Sequence, residues 1–280
     1  MKGKKAIKAL LLFALMAAVF FGVDKKAQAA AEGTVYVAVE KFTIGQGYIV
    51  EPREITISSG ERVSSVFERL MDEEGLTASI DLNSSYGWYL EGIKNVDTGD
   101  GHIPACIQGM SDNPPTDADI YPASEKNINY PDLEQFSYTT TSGWCYAVNN
   151  VFPSVGMGNY TAHDGDVIRF RFTIHGTGAD LGNGWPGSLT LPNLDQITKR
   201  MAVFNANRSL CFSKGYSEAY AEVLSVVINM DSTNAQIDAA YEKLPTETQI
   251  ETWVQENEIL KQNQTAAQKA INSIKAISSS

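Results

Sequence analysis

Residues able to do chemistry are few and scattered in this chain. Its three histidines, His102, His163 and His175, form no i, i+4 pair that would put two ligands on one helix face, and no nucleophile elbow lies near them. Cys106, Cys145 and Cys211 fit no zinc-ligand spacing, and their odd number allows one disulfide with one thiol left over. Acids gather at Asp97, Asp100, Asp112, Asp117 and Asp119, where a hard cation could find oxygen ligands. The alternating acids closed by a glutamate that a calcium loop requires are missing, so these read as a solvated acidic loop. Paired carboxylates select nothing in a chain this acidic. The expectation is a protein that is not an enzyme, with no catalytic residue, no metal and no cofactor.

Binding chemistry has better material. Aromatic rings give large contact area at low entropic cost, and Trp88, Trp144, Tyr146, Phe152, Met157 and Tyr160 are the candidate ligand-binding residues, with Tyr86, Tyr89 and Trp185 in the same aromatic set. Trp144 and Tyr146 share one strand face, Cys145 and Ala147 the other. A helix on the small-residue face leaves both rings open to a partner; a helix on the aromatic face buries them in the core. Arg169, Arg171 and His175 form a polar stripe able to receive an anion or to pair with acids on neighbouring strands, and the second reading is preferred.

The elements that position these residues follow from periodicity. Val35, Val37 and Val39 alternate with Tyr36, Ala38 and Glu40, Gly45-Gln-Gly47 marks a turn, and Ile55 and Ile57 continue the alternation, which predicts a hairpin over residues 33–58. Val63, Val66, Phe67 and Leu70 recur at i, i+3, i+4 and i+7, a helix of about three turns closed by Gly75. It must cover the hairpin, since two strands alone are barely stable. Strand-like material follows at Ser79–Leu82 and Tyr86–Ile93, then the pattern dissolves. An insertion over about residues 94–135 is a candidate specificity element, because loops this long are uncommon in compact domains. Strands resume at Gln135–Thr141 or, more clearly, Gly143–Asn149. Asn149-Asn150 and Asp164-Gly165 mark turns, and Ile168, Phe170, Phe172 and Ile174 point inward opposite Arg169, Arg171, Thr173 and His175. From Asn193 three or four helices follow; Thr233 to Gln236 and Thr246 to Gln249 match the capping box. After Lys261 apolar residues are too few for the last helix to be wholly buried.

The N-terminal residues show a basic start, an apolar run from Ala9 to Val23 and the small-x-small site Ala27-Gln-Ala29, the three parts of a secretory signal. Removal of residues 1–29 predicts a secreted, extracellular protein that does not span a membrane. It takes away six lysines and one aspartate, moving the formal charge from −11 to −16. Such a charge disfavours nucleic acid and anionic membrane surfaces as partners of the chain as a whole.

A hairpin, a helix and further strands predict an α+β fold, a β-grasp-like mixed sheet with one crossing helix, followed by a small all-α C-terminal domain. Glu40–Pro52, Tyr86–Ile93, Gly143–Asn149 and Asp164–Phe170, in that order, resemble a bacterial secreted domain family that is itself similar to the C-terminal domain of transcobalamin and intrinsic factor. The resemblance covers roughly residues 33–182 apart from the insertion. It implies a β-grasp-like, non-enzymatic domain; in the vitamin B12 carriers that domain closes over a corrin held by a larger helical barrel, and no counterpart of that barrel is expected in residues 1–280. The organisation expected is a signal at 1–29, the β-grasp-like domain at 30–192 and a helical domain at 193–280. The function expected is a secreted binding module for a small flat ligand of cobalamin type or, alternatively, a cell-surface module for protein or glycan.

Overall fold

The computed structural model describes residues 31–85, 87–110, 127–176, 178–184 and 186–278. The signal segment, Tyr86, Asp112, Asp117, Asp119 and Trp185 lie outside the described residues.

Strands β1 (Ala31–Glu40) and β2 (Tyr48–Ser58) form the expected hairpin, joined through a short 3-10 turn at Phe42–Ile44. Helix α1 (Val63–Glu74) follows and buries Val63, Val66, Phe67 and Leu70. Gly75 closes it at φ 66°, donating to carbonyls of the last turn, a left-handed position that glycine takes without steric cost. Strands β3 (Ala78–Ser84) and β4 (Gly87–Ile93) then pair antiparallel. The insertion holds a short helix α2 (Ala105–Gln108) and a two-residue strand β5 (Leu133–Glu134) that pairs with β4. Residues 135–141 form turns rather than a strand. The chain continues into β6 (Gly143–Val148) and β7 (Val167–Thr173).

Two sheets result. One has the order β2-β1-β7-β6 and the other β3-β4-β5. In the larger sheet β1 and β7 run parallel while its two outer pairs are antiparallel. First and last strands side by side at the centre, with a helix crossing one face, is the β-grasp order. The turns read from sequence hold: Asn149 and Asn150 both take positive φ, 50° and 59°, as a tight two-residue hairpin turn demands, and Gly165 sits at φ 83°.

The C-terminal region is helical: α3 (Asp195–Ala206), α4 (Arg208–Ser213), α5 (Ser217–Val227), α6 (Asn234–Tyr241) and α7 (Glu247–Ser278). This is one helix more than the sequence pattern suggested, because the short α4 carries too few turns to show a period. Both capping boxes form. Thr233 and Gln236 bond reciprocally at the start of α6, and at the start of α7 Thr246 N donates to Gln249 Oε1 at 2.8 Å while Gln249 N donates to Thr246 Oγ1 at 3.2 Å.

Helix α3 lies on the sheet face opposite α1. Asn205 Nδ2 donates to the carbonyl of Pro52 in β2 at 2.8 Å, and Lys199 Nζ stands 4.9 Å above the Tyr36 ring of β1. Arg200 ties the later helices to α3, reaching the carbonyl of Pro245 at 3.3 Å, the carboxylate of Glu247 at 3.0 Å and the face of Tyr241 at 4.1 Å. A single apolar core runs from Val35 through both sheets to Ile250.

Candidate functional site

The register of β6 on β7 sets the fate of the aromatic pair. Trp144 lies opposite Phe172 and Tyr146 opposite Phe170, so their rings share the face on which α1 packs. Phe67 of α1 meets Phe170 edge-on at 4.7 Å and Trp88 at 5.8 Å. Trp144, 6% exposed, donates from Nε1 to the carbonyl of Leu133 at 3.1 Å and lies against Phe172 at 5.3 Å. Tyr146, 8% exposed, donates from its hydroxyl to the carbonyl of Val155 at 2.5 Å. Burial pushes its phenol pKa up, which suits a neutral donor. Both are core residues: of the two alternatives the sequence left open, the helix took the aromatic face, and β5 closes over Trp144 while the connection through Val155 and Tyr160 closes over Tyr146.

The remaining candidates divide between the two faces. Tyr160 meets Tyr146 at 6.3 Å and His163 at 6.5 Å, and its carbonyl receives the amide of Val63 at 3.0 Å. Met157 is buried and accepts the amide of Ser64 at 3.2 Å. Trp88 is half-buried and donates from Nε1 to Glu68 at 2.7 Å. These three, with Tyr146, gather around the N-terminal half of α1. Phe152 instead lies on the opposite face, where the guanidinium of Arg171 stands 5.7 Å from its ring. The six residues therefore do not form one binding surface.

The polar stripe of β7 is also covered. Arg169 and Arg171 are buried. Arg169 donates to both oxygens of Glu40, at 2.6 and 2.8 Å, and Arg171 donates to the carbonyl of Leu181 at 3.0 Å. Burial and the neighbouring Arg169 lower the Arg171 pKa to about 10, which still leaves it charged at neutral pH. Cross-strand pairing, not anion capture, is what these arginines do.

Among the acids of the insertion, Asp97 is an anchor. It is buried and accepts from Gln46 Nε2 at 2.8 Å, Asn127 Nδ2 at 2.8 Å, Gly99 N at 2.9 Å and the hydroxyl of Tyr138. Burial opposes its ionisation, but these donors prevail and hold its pKa below the ordinary value. Lys41, buried beside it, donates to the carbonyl of Val96 and to Gln46. At the other end, Asp231 accepts the amides of Ala105 and Cys106 at 3.1 and 2.7 Å. The insertion is thus pinned to the sheet and to the C-terminal helices. Among the described residues no group of three or more His, Cys, Asp or Glu side chains is placed to hold a metal ion.

Pinning leaves a set of apolar side chains outside. Ile128, Tyr130 and Phe136 are exposed, Ile128 by 79% and Phe136 by 53%. The two segments lie side by side, with Ile128 N donating to the carbonyl of Ser137 at 3.2 Å and Asn129 Nδ2 to Ser137 Oγ at 3.3 Å. Phe136 holds φ 62°, a left-handed conformation that costs a bulky L-residue roughly 1–2 kcal/mol. Flanking bonds hold it there: Gln135 N to Glu91 O at 2.6 Å, Phe136 N to Ser142 O at 2.8 Å and Ser137 N to Glu134 O at 3.2 Å. Sequence marked the insertion as a specificity element but not these residues, since nothing in local pattern announces a strained, outward-facing phenylalanine.

A family model described as a domain of unknown function, DUF4430, matches residues 128–173. That span holds β5, β6, β7 and the exposed loop. It also contains two of the four sequence blocks that carry the resemblance stated above. Among solved structures, the chain is similar to one titled "Crystal Structure of Haptocorrin in Complex with Cbi", with 16% identity and a TM-score of 0.32, over 51% of this chain and 25% of that one. The chain thus spans about a quarter of that protein's length. No curated protein matches it.

Proposed function

We propose that this protein is a secreted, non-enzymatic binding module that engages a cell-surface protein or glycan through the loop bearing Ile128, Tyr130 and Phe136. The carrying observation is Phe136. Its backbone is held in a strained conformation by three flanking hydrogen bonds while its ring stays half in solvent, beside an almost fully exposed isoleucine. Strain kept in a loop on a rigid scaffold, together with apolar side chains facing water, is characteristic of contact surfaces.

The absence of enzymatic activity is part of this proposal, and the reactive groups support it. Burial raises the thiols of Cys106 and Cys145 to about 12 and that of Cys211 to about 11, so none is a thiolate nucleophile at neutral pH. His102 packs over Gly45, and His163 lies 3.6 Å from Asp166, its neighbour three residues on.

The second reading, a small flat ligand of cobalamin type, is supported by Trp88 and Tyr160, whose partly exposed rings flank the start of α1. One comparison separates the two. Labelled protein should bind intact bacterial cells saturably. Ile128→Ser combined with Phe136→Gly should abolish that binding with the melting temperature kept, because glycine accepts the φ of Phe136 without strain. Unchanged cell binding by this variant overturns the loop surface. Quenching of tryptophan fluorescence and a raised melting temperature on adding a corrinoid would favour the flat-ligand reading instead.

A further inference from the structure

Helix α7 begins on the body and then leaves it. Ile250 is buried, and Trp253 stacks obliquely on Tyr216 at 5.6 Å. From Glu258 to Ile277 every residue is exposed. This outlying segment is sharply two-sided. At 3.6 residues per turn, Ile259, Leu260, Ile271, Ile274 and Ile277 fall in one arc of roughly 140°. Ala266, Ala267 and Ala270 lie in the same arc, and between Ile259 and Ile277 only Asn263 interrupts it. Of the body-facing positions, Ile250 and Val254 point roughly a third of a turn or more from the middle of this arc and Trp253 falls on its edge, so the stripe is rotated away from the seam with the body and meets it along one side only. Ile274 is 66% and Ile277 76% exposed.

The charge of the segment differs from that of the rest of the chain. After Glu258 it carries Lys261, Lys269 and Lys275 and no acid, in a protein of formal charge −11. Lys261 pairs with Glu258 at 3.1 Å, both about 60% exposed, an arrangement worth little in water. The lysines lie outside the apolar arc among Gln, Asn, Ser and Thr. No helix of the described residues is long and apolar enough to cross a membrane.

We infer that residues 259–277 form an interfacial helix that lays its apolar stripe on an anionic lipid surface. The arc is broader than the narrow a/d seam of a two-stranded coil, and its flanks carry no acids to answer the lysines of a second copy. A wide Ile/Leu/Ala face, a back of lysines and uncharged polar residues broken only by Ala276, and a length of about 28 Å are what a helix lying in a headgroup layer needs. The acidic body is repelled by such a surface, and the charge separation along the chain would hold it away while the helix binds. This surface is separate from the loop at Phe136, and either proposal can fail alone.

The test uses the chain from Ala30, which keeps every core residue from Val35 onward and omits the apolar run at Ala9–Val23 that would bind lipid by itself. Cosedimentation is measured with phosphatidylglycerol-containing vesicles and with pure phosphatidylcholine vesicles. Binding is expected to the former only and should weaken as salt is raised. Lys261, Lys269 and Lys275 changed together to Gln should lower partitioning on the order of a hundredfold. Ile274→Glu with Ile277→Glu should abolish it without moving the melting temperature. Equal binding to both vesicle types, or none to either, overturns the inference. So does a dimer in sedimentation equilibrium that Ile274→Glu dissociates while no vesicle is bound, which would show a second copy on this face.

Discussion

Arg169 and Glu40 form a two-pronged pair inside the protein, with Arg171 of the same strand 3.4 Å from the second Glu40 oxygen. One carboxylate therefore answers two buried guanidiniums, and burial is opposed at Arg169 by this carboxylate, which raises the arginine pKa above its ordinary value. Glu40→Gln removes the charge and keeps the shape. It is expected to destabilise by about 3–5 kcal/mol, read from the midpoint and slope of denaturant unfolding; a loss under about 1 kcal/mol would show that the pair is hydrated. The alternation that put Arg169 and Arg171 on the face opposite Phe170 was legible, because period two is local. Their burial was not, since their acid lies 129 residues away along the chain.

Helices α1 and α7 show the same division among elements. The spacing of Val63, Val66, Phe67 and Leu70 announced α1 and its buried stripe, and the capping box at Thr246 announced the start of α7. Neither pattern names the surface that receives the helix. Phe67 settled on the aromatic face of the sheet, which turned Trp144 and Tyr146 into core. For α7, the shortage of apolar residues after Lys261 did mark where packing ends. Limited trypsin treatment is expected to cut at Lys269 and Lys275 while sparing the body. The trimmed protein should keep its melting temperature to within a degree or so, because among the described residues the last fully buried one is Ile250 and the last packed against the core are Trp253 and Val254, all of which stay with the body. A cooperative loss of the whole fold on trimming would show that the outer half of α7 holds the body together.

Across the whole molecule, two buried carboxylates give stability opposite dependences on pH. Asp180 accepts from Thr173 Oγ1 and from Ile174 N, each at no more than 2.8 Å, yet burial outweighs these bonds and raises its pKa from 3.8 to about 6. The folded state then binds a proton that the unfolded chain releases, so this group adds stability as pH falls from about 7 through about 6 toward 4. The gain is on the order of 3 kcal/mol. Asp97, whose pKa is held below 3.8, does the reverse: its contribution is complete above that value and is lost as pH falls below it. Denaturant unfolding followed across pH should rise from neutral toward about 4 and collapse beneath it. In Asp180→Asn the rise should flatten while the collapse remains. An unchanged rise would move its cause elsewhere.

The sequence by itself determined the α+β class, the hairpin, the crossing helix with its buried stripe, the two-faced last strand, the capped helices and the point where α7 runs out of apolar residues. All of these rest on contacts within a few residues or on periodicity. Tertiary structure alone decided which sheet face α1 covers, that α3 seals the arginine face, that Asp97 anchors the insertion, and that Phe136 rather than Trp144 meets solvent. A strand's alternation says that its faces differ but not what lies on each. Whether a charged face is buried depends on a partner supplied from far along the chain.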